Sequence, residues 1–308
     1  MIPTDIQPSH YEWQIPYEKS ATPHLILHFD MNKTMIASDR EGQKSAHDTI
    51  CAILADRISD RWDPILEAPM DYFHFVKYHL VPNPGKSWEI KLKQKEKVSE
   101  FLDFLKASGH PSYPMAKDIY DHAMRVIETQ KTEIFSSFHK MIQYLHEKEI
   151  PYTLVIRTFG SEAPEIVQEL NEKFGSGFID DFRTIRQGNL QGTDGDLYEL
   201  IRDSDHHLAI RDDWHWWYSH GEHWEYGKPF PIDSDDPGRI SLFFDDNAKS
   251  DPVFPMKNIV APYDVRSGDL LHPGELIEKN RVFPVEMLEA LLDEDYYIRF
   301  IEKVLAPP

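Results

Sequence analysis

Asp30 stands where an apolar run stops. The stretch His24-Leu25-Ile26-Leu27-His28-Phe29 leads into Asp30-Met31-Asn32-Lys33-Thr34, so a carboxylate, an amide and a hydroxyl occupy alternate positions. A short apolar run bounded by polar residues reads as a buried strand. Ligands of open α/β sheets bind at the carboxyl ends of such strands. A carboxylate there has two uses: it can attack phosphorus, and it can hold a hard divalent cation. Three other places have a related form. Thr158 follows Tyr152-Thr153-Leu154-Val155-Ile156-Arg157, and Asp245 and Asp246 follow Ile240-Ser241-Leu242-Phe243-Phe244, with Asp251 soon after. Lys228, in Tyr226-Gly227-Lys228-Pro229, precedes that last run.

These residues need elements to bring them together. The spacing predicts strands over 25–29, 152–156, 178–187 and 240–244, with a last short one at 259–261. It predicts helices over 46–58, 91–107, 116–129, 134–148 and 164–174, the last ended by Gly175. Pro284 suits the first position of a C-terminal helix. Residues 1–23 read as an irregular lead-in. Short apolar strands alternating with amphipathic helices imply an α/β fold, a Rossmann-like parallel sheet with helices on both faces. All the strand ends just named would then face one edge. More than a hundred residues separate Asp30 from Thr158, and a simple crossover needs only about a dozen. The surplus reads as a mainly helical domain inserted after the first strand, over 39–130, with 1–38 and 131–308 forming the α/β core.

Composition narrows the partners. Thirty-three Lys and Arg against 53 Asp and Glu give a formal charge of −20, which disfavours nucleic acid and anionic membranes as partners. An anionic substrate would need local positive charge or a metal. Cys51 is the single cysteine, which excludes an internal disulfide and fits a reducing, cytoplasmic setting. No apolar run has the length of a membrane span, and residues 1–20 lack the pattern of a secretory signal.

The ordered set resembles the haloacid dehalogenase-like hydrolase superfamily over about residues 24–262. That family's first motif is an apolar strand ending Asp-x-Asp-x-Thr/Val, here Asp30-Met31-Asn32-Lys33-Thr34. Its second is a strand ending in Ser or Thr, here Thr158; its third a Lys or Arg, here Lys228; its fourth an acidic pair after a strand, here Asp245-Asp246. The resemblance implies that Asp30 forms an aspartyl-phosphate, and that Mg²⁺ sits between Asp30, the backbone carbonyl of Asn32 and the acidic pair. Asp246 is the first choice for direct metal contact, with Asp245 close behind. Thr158 would bond a phosphoryl oxygen, and Lys228 would neutralise nucleophile and phosphate. The implied activity is a Mg²⁺-dependent phosphohydrolase or phosphotransferase acting on a small phosphorylated metabolite, with the inserted helices covering the site.

Asn32 departs from the pattern. The family's phosphatases carry a second aspartate here that protonates the leaving group and later activates water. An amide does neither, and losing a general acid-base typically costs about 10²–10⁴-fold in rate. Three outcomes follow: substrates with good leaving groups, a phosphotransferase with a long-lived phosphoenzyme, or a silent phosphate-ligand binder or interaction protein. Asp to Asn at such a position is also the change that traps a substrate. A dehalogenase-type hydrolase, which also lacks the second aspartate, needs no Mg²⁺, so the acidic pair argues against it.

Two other segments carry chemistry-bearing residues. Residues 213–224 crowd His215, His220 and His223 among Trp and Tyr, but without a familiar zinc spacing and without a cysteine. They read as an aromatic insertion packing on the core or the inserted domain, or as a substrate-facing wall. Lys86, Lys91, Lys93, Lys95 and Lys97 form the main basic patch. Such runs are mostly solvated helix faces, and the functional alternative is steering of an anionic substrate.

Overall fold

The computed structural model describes residues 22–39, 42–85, 87–192, 196–202, 206–249 and 255–306. Lys86, Asp251 and residues 1–21 of the lead-in lie outside them. Strand β1 (His24–Asp30) is buried from Leu25 onward, as expected of an interior parallel strand. Helix α1 (Ala46–Arg57) follows, opened by a capping box between Ser45 and Asp48. Then come the two-residue strands β2 (Ser59–Asp60) and β3 (Met70–Asp71), α2 (Tyr72–Phe75) and a π-helical turn over Val76–Leu80. The predicted helix over 91–107 is two, α3 (Trp88–Ser99) and α4 (Phe101–Ala107), and both bond ladders run through Glu100. Helix α5 (Tyr113–Thr129) starts with Pro114 in its first turn, and α6 (Ser136–Glu147) buries Phe138, Met141, Ile142 and Leu145.

The second half alternates strand and helix more strictly. Its elements are β4 (Tyr152–Thr158), α7 (Ala163–Phe174), β5 (Ile179–Arg186), β6 (Asn189–Leu190), α8 (Leu197–Arg202), β7 (His207–Arg211) and α9 (Trp214–Ser219). Gly175 ends α7 at φ +119, a conformation that side chains other than glycine rarely adopt. After a 3₁₀ turn at Trp224–Tyr226 come β8 (Lys228–Ile232), β9 (Arg239–Asp245), β10 (Val260–Asp264), α10 (Pro273–Glu278), β11 (Val282–Pro284), α11 (Met287–Leu292) and α12 (Tyr296–Leu305).

The central sheet runs β11-β9-β1-β4-β7-β5-β6, parallel throughout except for the β5/β6 hairpin. The α/β class and the parallel core are therefore present. Between β1 and β4 lie helices α1 to α6, with only the two-residue strands β2 and β3 among them. Buried residues of these helices, such as Ile50, Leu54 and Phe101, share one continuous apolar cluster with Leu25, Phe29 and Leu154 of the sheet.

Two expectations are corrected. Pro284 does not open a helix: it ends β11, whose residues pair with Phe243, Phe244 and Asp245 at the edge of the sheet. An edge strand tolerates the missing N–H, so the same proline fits both roles, and the following helices start at Met287 and Tyr296. The short strand near 259–261 exists as β10, but it pairs with β8 in a separate two-stranded sheet. No described helix is long and apolar enough to cross a membrane.

Candidate active site

Register brings the candidate residues to one edge. Phe29 is level with Phe244 of β9, and Asp30 is level with Arg157 of β4. Asp30 and Asp245, each the next residue along its strand, thus end neighbouring strands side by side. Lys228 arrives from β8. Its backbone N–H donates to Ile259 O at 2.6 Å, and Gly227 just before it makes that approach possible. A Cβ on Gly227 would lie 2.1 Å from the same carbonyl oxygen. So fixed, the Lys228 ammonium donates to Asp245 Oδ2 at 2.8 Å and to Asp30 Oδ1. Lys228 and Asp245 are wholly buried and Asp30 nearly so. Buried ions cost several kcal/mol each unless well paired, which dictates this arrangement.

The loop after Asp30 closes on the loop after Asp245. Lys33 adopts a left-handed conformation (φ 59), and its N–H donates to Ile36 O at 2.7 Å. Its ammonium meets Asp246 Oδ2 at 2.5 Å. The Asp246 N–H donates to Thr34 Oγ1 at 3.2 Å, and the Asn247 N–H donates to Asp245 Oδ1 at 2.8 Å. From α12, the buried Tyr297 hydroxyl donates to Thr34 O, and its ring packs edge-on against Phe29 and Phe244. Asn32 is half-buried within the loop after Asp30, bridged to Ile36, and among the described residues its buried Oδ1 has no hydrogen-bond partner.

Carboxylate oxygens of Asp30, Asp245 and Asp246 all lie within 4.8 Å of one another. Burial pushes the Asp30 carboxyl well above the usual carboxylate range; Lys228 pulls it back down, and Asp245 and Asp246 push it further up. Burial raises Asp245 in the same way. Burial also opposes the charge on Lys228, but Asp245, Asp30 and Asp212 outweigh it and hold the ammonium above its ordinary value. Three carboxylates against Lys228 and Lys33 leave an excess of negative charge. Such a set of hard oxygen donors fits a small divalent cation.

Thr158 ends β4 at the same edge, one strand from Asp30. Its hydroxyl accepts from Gly160 N–H at 2.8 Å, and its carbonyl accepts from Asp212 N–H at 2.7 Å. A hydroxyl that accepts one bond still has its own hydrogen to donate. Lys173, the nearest alternative to Lys228 in the sequence for the motif's basic residue, is exposed on α7.

Sequence reasoning missed the layer beneath. Arg157 is fully buried and grips Asp212 with two bonds, Nε to Oδ2 at 2.9 Å and an Nη to Oδ1 at 2.5 Å. It also donates to Pro229 O at 2.9 Å and to His28 Nδ1 at 3.1 Å. Burial, then Arg157, hold His28 well below the ordinary imidazole value, so the neutral ring accepts this bond. The network ties β1, β4 and the end of β7 to the residue after Lys228. The signal was available: Arg157 and His28 are polar residues inside apolar runs, and a buried charge must find a partner.

The aromatic segment packs against this site. Trp217 stacks on Phe159 with ring centroids 5.8 Å apart and donates to Asn258 O at 2.8 Å. Phe159 in turn lies under the Lys228 ammonium, 5.1 Å from ring centre to nitrogen. His220 stacks on Tyr226, and among the described residues His215, His220 and His223 form no metal-ligand group. In the basic patch, Lys95 pairs with Asp48 and Lys97 with Glu100. Compared with family models, with curated proteins and with solved structures, the chain matches none.

Proposed function

We propose that this chain is a Mg²⁺-dependent phosphohydrolase or phosphotransferase of the haloacid dehalogenase-like type, acting through an aspartyl-phosphate on Asp30. The observation that carries the reading is Lys228. A lysine distant in sequence is fully buried against Asp30 and Asp245 at the carboxyl edge of two parallel strands. A structural lysine would be better placed at the surface, since burying it with two carboxylates has little stabilising value by itself.

Asp30 would attack phosphorus, breaking the bond to the leaving oxygen and forming an acyl phosphate. Lys228 would keep Asp30 ionised and offset charge growing on the transferred group. Thr158 would donate its hydroxyl hydrogen to a phosphoryl oxygen. Asp30, Asp245, Asp246 and the Asn32 carbonyl would hold Mg²⁺, which supplies Lewis-acid polarisation of the phosphoryl oxygens. Helices α1 to α5 are read as a cap whose closure excludes water and orders a small phosphorylated substrate.

Asn32 supports slow breakdown of the phosphoenzyme. Its Oδ1 accepts no hydrogen bond among the described residues, and its amide cannot take a proton from water. The same residue favours the second reading, a phosphate-ligand binder without turnover. Hydrolysis of para-nitrophenyl phosphate with and without Mg²⁺ separates them. The enzyme reading expects metal-dependent turnover that Asp30→Ala abolishes and that Asn32→Asp raises by about 10²-fold or more. Turnover unchanged in Asp30→Ala would refute it, and silence in both the wild-type chain and Asn32→Asp would favour the binder.

A further inference from the structure

Lys44 has Lys33 and Lys91 among its charged neighbours, just beyond the loop that follows Asp30, and the three differ in how well they are compensated. Lys33 is matched by Asp246 at 2.5 Å. Lys44 is not so well served. It belongs to the turn in which Asp39 and Lys44 exchange both backbone bonds, at 2.9 and 2.8 Å, directly beyond the Asp30 loop. Its ammonium stands 3.8 Å from Asp39 Oδ2, while the other oxygen of that carboxylate accepts from Gly42 N–H at 2.7 Å.

Lys91 reaches in from α3. Its ammonium lies 5.9 Å from the ring centre of Trp88 and 5.7 Å from that of Tyr218. Tyr218 is on α9, the helix whose Trp217 packs on Phe159 beside Lys228. Lys91 therefore spans from the inserted helices to the aromatic segment at the site. Among the described residues, no carboxylate lies within 4.0 Å of its ammonium. Lys44 lies within electrostatic reach of Lys33, Lys91, Asp39 and Asp246, and burial followed by Lys33 holds it below the ordinary lysine value. Among the described residues of a chain with 20 more negative than positive charges, Lys44 has one ion pair, with Asp39 at 3.8 Å, and Lys91 has none.

We propose that Lys44 and Lys91 form a subsite for a second anionic group, carboxylate or phosphoryl, at the far end of the phosphorylated substrate. The inference rests on the phosphoryl-site reading above and deepens it. The field of the whole chain repels anions, so a substrate with two anionic ends needs a cation at each. Lys228 and the metal would serve one end, and Lys44 and Lys91 the other. Trp88 and Tyr218 would flank the stem between them with flat apolar surface.

Non-hydrolysable phosphonates test this by calorimetric titration of the whole chain in Mg²⁺, without any need for turnover. Methylphosphonate probes the phosphoryl end alone. Phosphonopropionate adds a carboxylate, ethylenebisphosphonate a second phosphoryl group, and aminoethylphosphonate a cation. The wild-type chain is expected to bind at least one of the two-anion probes about tenfold more tightly than methylphosphonate, the scale of two exposed ion pairs. The tighter of the two identifies the natural end group. Aminoethylphosphonate should bind more weakly than methylphosphonate. In Lys44→Met/Lys91→Met the tenfold preference should vanish while methylphosphonate affinity stays unchanged. Equal binding of all four probes to the wild-type chain, or a preference that survives the double substitution, would overturn the subsite. Failure of methylphosphonate to bind the wild-type chain would overturn the phosphoryl-site reading itself, and this inference with it.

Discussion

Replacing Lys228 by Met removes the one ammonium shared by Asp30 and Asp245. Met keeps most of the stem volume, so the change is chiefly one of charge. Lys228 is wholly buried, bonds Asp245 Oδ2 at 2.8 Å and also bonds Asp30. Without it, two buried carboxylates face each other with no cation between them. Breaking a buried pair from one side typically costs about 3–5 kcal/mol. The structure also fixes how that cost varies with pH. Burial already raises the Asp30 and Asp245 carboxyls, and Lys228 is the group that pulls both down. In the variant both rise further, so its folded state holds protons that the wild-type folded state has released. The stability deficit should therefore be largest at neutral to alkaline pH and shrink as acid neutralises the pair. Urea unfolding at a series of pH values, in Mg²⁺-free buffer, reads both the size and the slope. Adding Asp245→Asn to Lys228→Met should recover part of the loss, because the second charge then leaves with the first. A deficit below about 1 kcal/mol at neutral pH, or one that grows in acid, would refute the account of this cluster.

Gly227→Ala should destabilise the chain by about 1–3 kcal/mol and weaken any phosphoryl binding, because the new Cβ would strike the Ile259 backbone and displace Lys228; paired melting and methylphosphonate titrations check both effects. His139, on the buried face of α6, is held at about 4 by burial and, secondarily, by Lys173. The unfolded ring takes a proton near pH 6.5 and the folded ring only near 4. Its contribution is therefore intact above 6.5 and is lost as pH falls through that window. Relative to His139→Gln, the wild-type chain should lose on the order of 2 kcal/mol across it, measured by urea unfolding.

Much of the frame was legible because its strands are long and end abruptly. The runs closing at Asp30, Thr158 and Asp245 are seven-residue interior strands, buried almost end to end, and such segments must be apolar. Strand β7 escaped notice because only Leu208, Ala209 and Ile210 of its five residues are buried, in a stretch dominated by His and Trp. Strand β8 was hidden by Pro229 and Pro231, which argue against a central strand but are harmless in a two-stranded pairing. Lys228 was legible as a candidate only through its order among the other motifs. That it starts β8, and that β8 lies outside the central sheet, depends on Gly227 meeting Ile259, a contact no local pattern encodes. The Arg157–Asp212 pair has the same character, since Arg157 draws its partners Asp212, His28 and Pro229 from three other segments.

The most direct test of the central claim is intact-mass spectrometry of the chain after incubation with acetyl phosphate and Mg²⁺, followed by peptide mapping. The account predicts one added phosphoryl group, carried by the peptide containing Asp30, absent from Asp30→Ala and shorter-lived in Asn32→Asp. No adduct in either the wild-type chain or Asn32→Asp, or an adduct that persists in Asp30→Ala, would contradict it.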